Sequence, residues 1–482
     1  MLPIRCPCVL AHNLPSVPGF HVGSSVLLIN ANRCSLPYPV YPLGLSHVAA
    51  ALTNAGHRVR VLDVMFDDAV IEKEIEQYCP ALIGISLRNI DDVNMVSREW
   101  FVPDLVDLVS RCRAVTTVPV VVGGSAFSLF PRELLEASGA DFGIVGEGET
   151  ALCELVAALA SGSRWNAVAG LVYRAGGRVQ VNPAAQFLQG PHIGEALRPP
   201  ELARRYLDKS SLLNIQTQRG CPFTCCYCTY PLIEGCRVRG RDPQCIVEEM
   251  SAARAAGARY VFVVDSVFNT TREHVVAVCE ALLARGLDLR WSCFLRPHGI
   301  DRELMEMMGR AGLTHIEFGS DSLCDSVLEA YGKRFTFDDV VHASECARNS
   351  RIWYSHFLIS GGPGETLVTI EEGFRNSQRL ERTVIFPFVG MRLYPRTPLY
   401  ERAVREGVAG EQTDLLHPFF YLAPGLSFKE VDGAMRSCAA RSRAWIYGEV
   451  PQSFSNASRE LRRRGVEGPL WEYLIINAGA AG

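Results

Sequence analysis

The feature that most limits the fold of this chain is a repeat of short apolar runs separated by helical segments, which begins at residue 24. The repeat contains five such runs: Val26–Asn30, Val59–Val64, Leu82–Leu87, Val118–Val122 and Phe142–Val145. Strands that are apolar throughout and alternate with helices are typical of a parallel sheet covered on both faces. The sequence therefore predicts an α/β fold that starts with a doubly wound parallel sheet.

A hairpin and a linker are predicted after this sheet. Two alternating strands within Ala167–Val181 flank the turn residues Gly176 and Gly177. We therefore expect a first domain over 24–182, preceded by an irregular arm at 1–23. Residues 183–212 contain four prolines and little periodicity, which is typical of a linker.

A second βα series starts at Leu213. Six βα units within 213–400 are too few for an eight-stranded barrel but fit a partial (β/α)6 barrel. Residues 401–482 are richer in charge and helix formers, so a mainly helical C-terminal cap is expected there.

The overall composition argues against several classes of protein. The formal net charge of −4 leaves no basic excess for binding nucleic acid, and no apolar run approaches the roughly 20 residues that span a bilayer. The N-terminus lacks the long apolar stretch of a signal peptide, so a cytoplasmic location is expected. The odd count of 17 cysteines does not indicate a disulfide framework. Isolated cysteines among apolar residues are instead expected to be buried thiols: Cys79, Cys112, Cys153, Cys279 and Cys346.

One cluster of cysteines indicates chemistry. Cys221, Cys225 and Cys228 have the spacing CxxxCxxC in a loop after a predicted strand. Three thiolates can bind three irons of a [4Fe–4S] cube and leave the fourth iron open to chelate the amino and carboxylate groups of a small molecule. Zinc sites favour paired CxxC units, and a zinc site completed by Cys236 and Cys245 is the alternative.

The cysteine loop resembles the signature of the radical S-adenosylmethionine superfamily, and later segments resemble that family in the same order. The resemblance implies that Tyr227 packs against the adenine of S-adenosylmethionine. It also implies that Asp265 and Ser266 meet its methionine part, while Glu317 and Ser320 face the ribose and the sulfonium. The fourth thiol in the loop, Cys226, is expected to point away from the cluster.

A glycine-rich turn and an arginine of the predicted barrel are also expected to bind ligands. The turn Gly361-Gly362-Pro363 resembles the glycine-rich turn that approaches the adenosine, and Glu365 is expected to begin the next helix favourably. Arg296 ends a barrel strand at the face where ligands bind, so it is expected to bind substrate or cofactor.

The first domain resembles the cobalamin-binding domain of cobalamin-dependent radical enzymes. No GxGxxG opens its first helix, so a dinucleotide is not expected. The resemblance rests on small residues after the predicted strands and on the stretch 37–45, which contains Tyr41. The implied cofactor-binding residues are Ser86, Leu87, Arg88, Gly123, Gly124, Ser125, Gly146, Glu147, Gly148 and Tyr41.

The loop 31–37 lacks the histidine with which many cobalamin proteins coordinate cobalt. The resemblance therefore implies that the nucleotide tail is detached beside Ser86 and Gly123, and that the lower cobalt face meets a non-coordinating group. Arg88, Tyr38 and Tyr41 are the candidates for reaching that face. A domain kept as scaffold after loss of cobalamin is the alternative.

The resemblance implies three cofactors, namely a [4Fe–4S] cluster, S-adenosylmethionine and cobalamin. The expected activity is methyl transfer to an unactivated centre of a small biosynthetic intermediate, with a reductase, flavodoxin or ferredoxin as electron donor. One alternative is a radical reaction without methyl transfer, in which Cys6, Cys8 and Cys438 could bind a soft acceptor. A cobalamin or redox sensor is the other.

Overall fold

The computed structural model describes residues 23–34, 38–448 and 452–474. The predicted arm at 1–23, with Cys6 and Cys8, lies outside the described residues except for Gly23. The chain divides into two compact units. Of the described residues, the first contains 23–33, 44–90 and 101–188, and the second contains Cys34, 38–43, 91–100 and those from 189 onward.

A seven-stranded sheet forms the centre of the first unit, in the order β2-β1-β3-β4-β5-β6-β7. Its first five strands in this order are parallel, and the last two pair antiparallel as a hairpin. The strands are β1 Ser25–Asn30, β2 Arg58–Asp63, β3 Leu82–Ser86, β4 Val120–Gly123, β5 Phe142–Ile144, β6 Leu171–Ala175 and β7 Arg178–Val181. All six residues of β1 are buried, as expected for a strand covered on both faces.

Helices connect the parallel strands of this sheet. They are α1 Leu43–Asn54, α2 Val64–Asp67, α3 Ile71–Tyr78, α4 Val102–Val115, α5 Ser125–Leu129, α6 Pro131–Ser138 and α7 Gly148–Ser161. Helix α4 shows the pattern that drives the packing, because its buried residues Leu105, Leu108 and Cys112 recur at helical spacing. The predicted doubly wound sheet with its hairpin is therefore confirmed.

The second unit begins with a difference from the prediction. The stretch 183–212, predicted as a linker, contains the helix α8 Pro200–Ser210. Pro199 and Pro200 stand at the cap and first turn of this helix, where proline is well tolerated. Leu202 and Tyr206 are buried one turn apart. The prolines that predict irregular chain here stand instead at the start of a helix.

Six parallel strands form the partial barrel of this unit, in the order β15-β14-β13-β12-β11-β8. They are β8 Leu213–Ile215, β11 Tyr260–Val263, β12 Arg290–Leu295, β13 Leu313–Asp321, β14 Trp353–Ser360 and β15 Thr383–Val389. Two small antiparallel ladders flank it: β9 Gln218–Arg219 with β10 Arg239–Gly240, and β16 Met391–Arg392 with β17 Phe420–Tyr421. The predicted partial (β/α)6 barrel is confirmed.

The remaining helices follow the barrel strands or lie in the C-terminal region. They are α9 Tyr230–Ile233, α10 Pro243–Ala255, α11 Arg272–Arg285, α12 Arg302–Arg310, α13 Asp325–Ala330, α14 Phe337–Asn349, α15 Leu367–Ser377, α16 Pro398–Arg405, α17 Phe428–Arg441 and α18 Gln452–Arg463. In the described part of the chain, no helix has the length and apolarity needed to cross a membrane.

The isolated cysteines mostly behave as predicted. Cys112, Cys279 and Cys346 are buried, and Cys438 lies in a hydrophobic cluster with Phe374. Cys153 is partly buried. Cys79 is exposed, contrary to the prediction, because it ends α3 in a left-handed conformation at φ 48°.

Candidate cofactor sites

The cysteine loop follows β8 and β9 and is held by backbone contacts. The N–H of Cys221 donates to Gly235 O at 3.0 Å, and that of Cys228 donates to Cys225 O at 3.2 Å. Gly220 has φ +87°, and a Cβ there would lie 2.1 Å from Arg237 O. Only glycine fits this close approach, so the first cysteine enters the loop at a fixed position.

The three predicted ligands lie close enough to influence one another electrostatically. Burial raises the pKa of the Cys228 thiol to about 12, and the charges of Cys225 and Cys221 add to this. Burial also raises the pKa of Cys221, again with a contribution from Cys225. Because the bound forms are thiolates, iron must offset this cost when it binds. Three clustered thiols in a partly dehydrated loop fit a [4Fe–4S] cube.

Among the described residues, no group of three or more His, Cys, Asp or Glu is arranged to hold a single ion. A cube does not need such an arrangement, since each thiolate binds a different iron. Cys236 and Cys245, the ligands considered for zinc, are both exposed.

Cys226 is held in place through its backbone. Its N–H donates to Tyr331 O at 3.0 Å, and its carbonyl accepts from the N–H of Leu399 at 2.9 Å. Burial raises the pKa of its thiol to about 12. These contacts fix the backbone at Cys226, and its assignment as a neighbour of the cluster and not a ligand stays a prediction.

A buried ion pair borders the loop and was not found from the sequence. Lys333 Nζ pairs with Asp321 Oδ2, and the side chains are only 9% and 6% exposed. Tyr227 Oη donates to the same carboxylate, while Lys333 Nζ lies 3.3 Å from Tyr227 Oη. Burial by itself lowers the pKa of Lys333, but Asp321 and the thiolates of Cys225 and Cys228 outweigh it and raise the pKa.

The ion pair is placed beside the cysteine loop by close packing of the chain before Lys333 against that loop. Gly332 has φ +77°, and a Cβ there would lie 2.7 Å from Thr224 O in the cysteine loop. Asp321 also has a positive φ, of 60°, at the end of β13. Lys333 follows a short helix and carries no motif, so only the fold distinguishes it from a surface lysine.

Asp265 and Ser266, predicted to meet methionine, contact the start of the cysteine loop. Asp265 is fully buried and accepts from Thr217 N at 2.7 Å, from Gln218 N at 3.2 Å and from Thr217 Oγ1. Burial raises its pKa to about 7. Ser266 Oγ donates to Gly220 O at 3.3 Å. The structure therefore gives Asp265 the role of an anchor for the chain entering the loop.

Arg296 lies beside the loop, as its position at a strand end predicted. Its guanidinium carbon is 4.3 Å from the ring centroid of Phe223, and its Nη2 donates to Arg334 O at 2.6 Å. Burial lowers its pKa, and the charge of Cys225 opposes that effect. A second cation thus stands near the cluster ligands.

Glu317 and Ser320, which are expected to face the ribose and the sulfonium, are both buried in β13. Ser320 is fully buried and lies 2.8 Å from His356 Nδ1. Glu317 is in the middle of β13, where the indole of Trp471 lies beside its carboxyl group. Burial raises the pKa of Glu317 to about 8. At the end of β13, Asp321 is the residue that contacts Tyr227 of the cysteine loop and the neighbouring Lys333.

The glycine-rich turn is closed by protein atoms. A Cβ on Gly362 would lie 2.4 Å from Tyr331 Oη, and a Cβ on Gly361 would lie 2.5 Å from Leu422 Cδ2. Glu365 is 6% exposed and accepts from Gly361 N, and burial raises its pKa to about 7. Helix α15 is capped by Thr366, so the expected role of Glu365 at a helix start is replaced by closure of the turn.

The carboxyl edge of the first sheet has a different character. Gly124 has φ +98°, and a Cβ there would lie 2.5 Å from Leu87 O and 3.0 Å from Ser86 Oγ. The N–H of Leu87 donates to Gly123 O at 2.9 Å, and Ser125 Oγ donates to Arg88 O at 2.7 Å. The Arg88 side chain is exposed. The predicted residues after β3 and β4 therefore lie together, and the contacts between them involve mainly backbone atoms.

The third glycine segment continues this edge. Gly146 has φ +86°, and its N–H donates to Ser128 Oγ at 2.9 Å. Glu147 accepts from Leu188 N at 2.7 Å, and Gly148 begins α7. A Cβ on Gly148 would lie 3.2 Å from Val48 Cγ2.

The two tyrosines considered for the lower cobalt face belong to the second unit. Tyr41 is 1% exposed, packs edge-on to Tyr206 at 5.1 Å, and its N–H donates to Asn214. Tyr38 lies 6.2 Å from the ring of Phe262. Both therefore pack against residues of the second unit, and their role at the lower cobalt face stays a prediction.

Comparison with known proteins decides the family. A model described as B12 binding domain matches residues 29–156, and one described as Radical SAM superfamily matches residues 215–375. The chain belongs to the radical S-adenosylmethionine enzymes that carry a cobalamin-binding domain. For this family, the expected cofactors are confirmed: a [4Fe–4S] cluster, S-adenosylmethionine and cobalamin.

Relatives support this assignment. The chain is 27% identical over 441 residues to the tryptophan 2-C-methyltransferase of Streptomyces laurentii, across 77% of this chain and 73% of the relative. It is 25% identical to the cytidylyl-2-hydroxyethylphosphonate methyltransferase of Streptomyces wedmorensis, across 72% and 75%. The structure of the radical S-adenosylmethionine methyltransferase TsrM from Kitasatospora setae, 24% identical, covers 95% of this chain and 100% of its own with a TM-score of 0.84, which confirms the fold.

Proposed function

We propose that this enzyme transfers a methyl group from S-adenosylmethionine, by way of cobalamin, to an unactivated centre of a small organic molecule. The observation that carries the proposal is the presence of both domain models in one chain. It is supported by two relatives that are named as methyltransferases of small molecules.

When bound, the cluster supplies an electron to S-adenosylmethionine and cobalamin carries the methyl group. The chain's own groups then have separate tasks at the cluster. Cys221, Cys225 and Cys228 hold the iron, while the ammonium of Lys333 lies against their charge. Tyr227 offers a ring beside the loop, oriented by its hydrogen bond to Asp321.

In the first unit, the tasks are mostly steric. Because Gly124 carries no Cβ, its backbone packs closely against Leu87 O and Ser86 Oγ, and this packing shapes the sheet edge that we propose takes the nucleotide tail. Arg88, exposed just after β3, is one candidate for the group below cobalt, together with Tyr38 and Tyr41. A cation at that place would disfavour a lower ligand.

An external reductase, flavodoxin or ferredoxin is proposed as electron donor. We also propose a cytoplasmic location, because a reducing compartment suits the many free thiols.

Product analysis tests the proposed activity. The anaerobic holoenzyme is incubated with candidate substrates, a reductant and S-adenosylmethionine bearing a trideuterated methyl group. Methyl transfer predicts a product in which one trideuteromethyl group has replaced a hydrogen, with loss of product on removal of cobalamin. An unlabelled rearranged or cyclised product would instead favour radical chemistry without methyl transfer, and no product with any substrate would favour a sensor.

The environment of cobalt has its own test. Electron paramagnetic resonance of protein loaded with cob(II)alamin should show no nitrogen splitting from a lower ligand in the native protein or in Arg88→Ala. Nitrogen splitting in the native protein would contradict the detached-tail proposal.

A further inference from the structure

Residues 466–474, called here the C-terminal segment, contact the amino ends of the barrel strands. Glu467 Oε2 lies 3.1 Å from Nη2 of Arg290, the first residue of β12. The carboxylate of Glu467 also lies 3.9 Å from Nε of Arg259, the residue before β11. The segment is therefore attached to the end of the barrel opposite the cysteine loop.

The contacts become buried further along the segment. A Cβ on Gly468 would lie 3.0 Å from Tyr260 Cε2 and 3.5 Å from His315 Cε1, so the backbone packs closely at this point. Trp471 packs edge-on to the ring of His315, with centroids 5.3 Å apart. Glu472 Oε2 lies 3.2 Å from His315 Nε2, and both side chains are 6% exposed. These contacts fix the position of Trp471 against β13.

Trp471 also lies next to Glu317. His315 and Glu317 are two residues apart in a regular stretch of β13, so their side chains lie on the same face of the strand. Trp471 packs on the His315 ring, and its indole lies beside the Glu317 carboxyl group. Trp471 and Glu317 are both buried. The C-terminal segment therefore reaches the residue that is expected to face the ribose of S-adenosylmethionine.

The indole N–H of Trp471 is a buried donor. Among the described residues, no acceptor lies in hydrogen-bond geometry with its Nε1, and a buried donor without an acceptor is costly. Burial raises the pKa of Glu317 to about 8, and the N–H of Trp471 acts against that rise. Because a carboxylate is a stronger acceptor than a neutral carboxyl group, ionisation of Glu317 supplies the acceptor that the indole lacks.

We propose that Trp471 is a positioning residue for S-adenosylmethionine, whose indole N–H holds the Glu317 carboxylate in the orientation that accepts hydrogen bonds from the ribose hydroxyls. The C-terminal segment acts on the cofactor through Glu317. This inference uses the expected contact between Glu317 and the ribose, and it does not depend on methyl transfer. An ionised carboxylate accepts such bonds more strongly than a neutral acid does, so the affinity for the ribose should follow the ionisation of Glu317.

The compound 5′-deoxyadenosine is a suitable probe, because it has the ribose hydroxyls and no group that titrates between neutral and alkaline pH. Its affinity for the anaerobic holoenzyme is measured by equilibrium dialysis over that range. In the native protein the affinity should rise as the pH passes about 8, because Glu317 is protonated below this pH and ionised above it. Glu317→Gln should remove the rise. A rise that persists in Glu317→Gln would overturn the proposal.

Trp471→Phe keeps a ring against His315 and removes the N–H. The rise in affinity should move to higher pH by about one unit or more, since the carboxylate has lost a donor. On the acid side of the rise, where Glu317 is protonated, the affinity should stay close to that of the native protein. A midpoint equal to that of the native protein would overturn the proposal, because loss of packing alone lowers the affinity at every pH.

Glu467→Gln is the matched control for this shift. Glu467 belongs to the same segment but pairs with Arg290 and Arg259 at the amino ends of the strands. This variant should keep the midpoint of the native protein. A shift as large as that of Trp471→Phe would overturn the assignment to the indole N–H.

Infrared spectroscopy gives a second measurement that does not require the Trp471 variant to fold. The carboxyl stretch of Glu317 is identified in the ligand-free native protein by subtracting the spectrum of Glu317→Gln. It should titrate with a midpoint of about 8, and a midpoint near the ordinary value of about 4.3 would overturn the proposal. Neither measurement involves turnover, so a negative result leaves the proposed methyl transfer in place, and failure to find a methylated product leaves the role of Trp471 in place.

Discussion

The two sheets of this protein present their carboxyl ends in contrasting ways. The edge of the first sheet is built from backbone at Gly123, Gly124 and Gly146, where two of the three glycines have positive φ. The edge of the second is built from side chains, with Lys333 and Asp321 buried beside three cysteines. We expect the first site to select its cofactor by shape, whereas the second holds its cofactor by ligation of iron and by charge. Adding atoms should therefore damage the first, and removing charged or ligating groups should damage the second.

The largest effect is expected from the cluster ligands. Cys221→Ala should abolish cluster binding, because two thiolates cannot hold the cube. Iron analysis of the anaerobically reconstituted protein should give about four irons in the native chain and near none in the variant. Cys226→Ala is the matched control and should retain the cluster. Equal loss of iron in both variants would show that the ligand assignment is mistaken.

A smaller but still large effect is expected at the buried ion pair. Lys333→Met leaves the Asp321 carboxylate buried without its cation, which should cost about 3–5 kcal/mol of stability. The melting temperature of the second unit reports this loss. The double variant Lys333→Met/Asp321→Asn should recover part of it, since no charge is then left unpaired. A Lys333→Met protein as stable as the native one would show that the pair is solvated.

The first edge should respond to one added carbon. Gly124→Ala combines an unfavourable positive φ with a Cβ placed 2.5 Å from Leu87 O, and should cost about 1–3 kcal/mol. Cobalamin retention should fall with it. At Gly123, a Cβ would lie 3.7 Å from Ile144 O, an ordinary contact, so Gly123→Ala should fold normally. Identical melting temperatures for the two variants would contradict the claim that the edge of the first sheet depends on close backbone packing at Gly124.

The smallest effect is expected at Tyr227. Loss of its ring in Tyr227→Ala should weaken S-adenosylmethionine binding by about 0.5–1.5 kcal/mol without loss of iron. Tyr227→Phe keeps the ring and removes the hydrogen bonds of its hydroxyl with Asp321 and Lys333, so it should bind S-adenosylmethionine nearly as the native protein does. If Tyr227→Phe is as weak as Tyr227→Ala, the hydroxyl contributes more than the ring.

The sequence predicted the fold closely where periodicity determines it. Each of the five apolar runs of the first domain agrees with an observed strand to within two residues at both ends. Helix α8 was missed because two prolines at its start resemble a linker.

The site was predictable only in part. The cysteine spacing and the glycines of the first edge are visible in the sequence because ligation and close backbone approach restrict residue type. The role of Lys333 is not visible in the sequence, because it depends on the packing of Gly332 against the cysteine loop. Asp265 and Glu365 were found as part of the site, but their hydrogen bonds point inward to Thr217 and Gly361 and so give them anchoring roles.

The central claim, that two independently built cofactor sites lie in one chain, is tested most directly by measuring iron and cobalamin content together in three proteins. The native chain should contain about four irons and a stoichiometric amount of cobalamin. Cys221→Ala should lose iron and keep cobalamin, and Gly124→Ala should lose cobalamin and keep iron. Loss of both cofactors in either variant, with the fold intact, or absence of cobalamin from the native protein after reconstitution, would contradict the account.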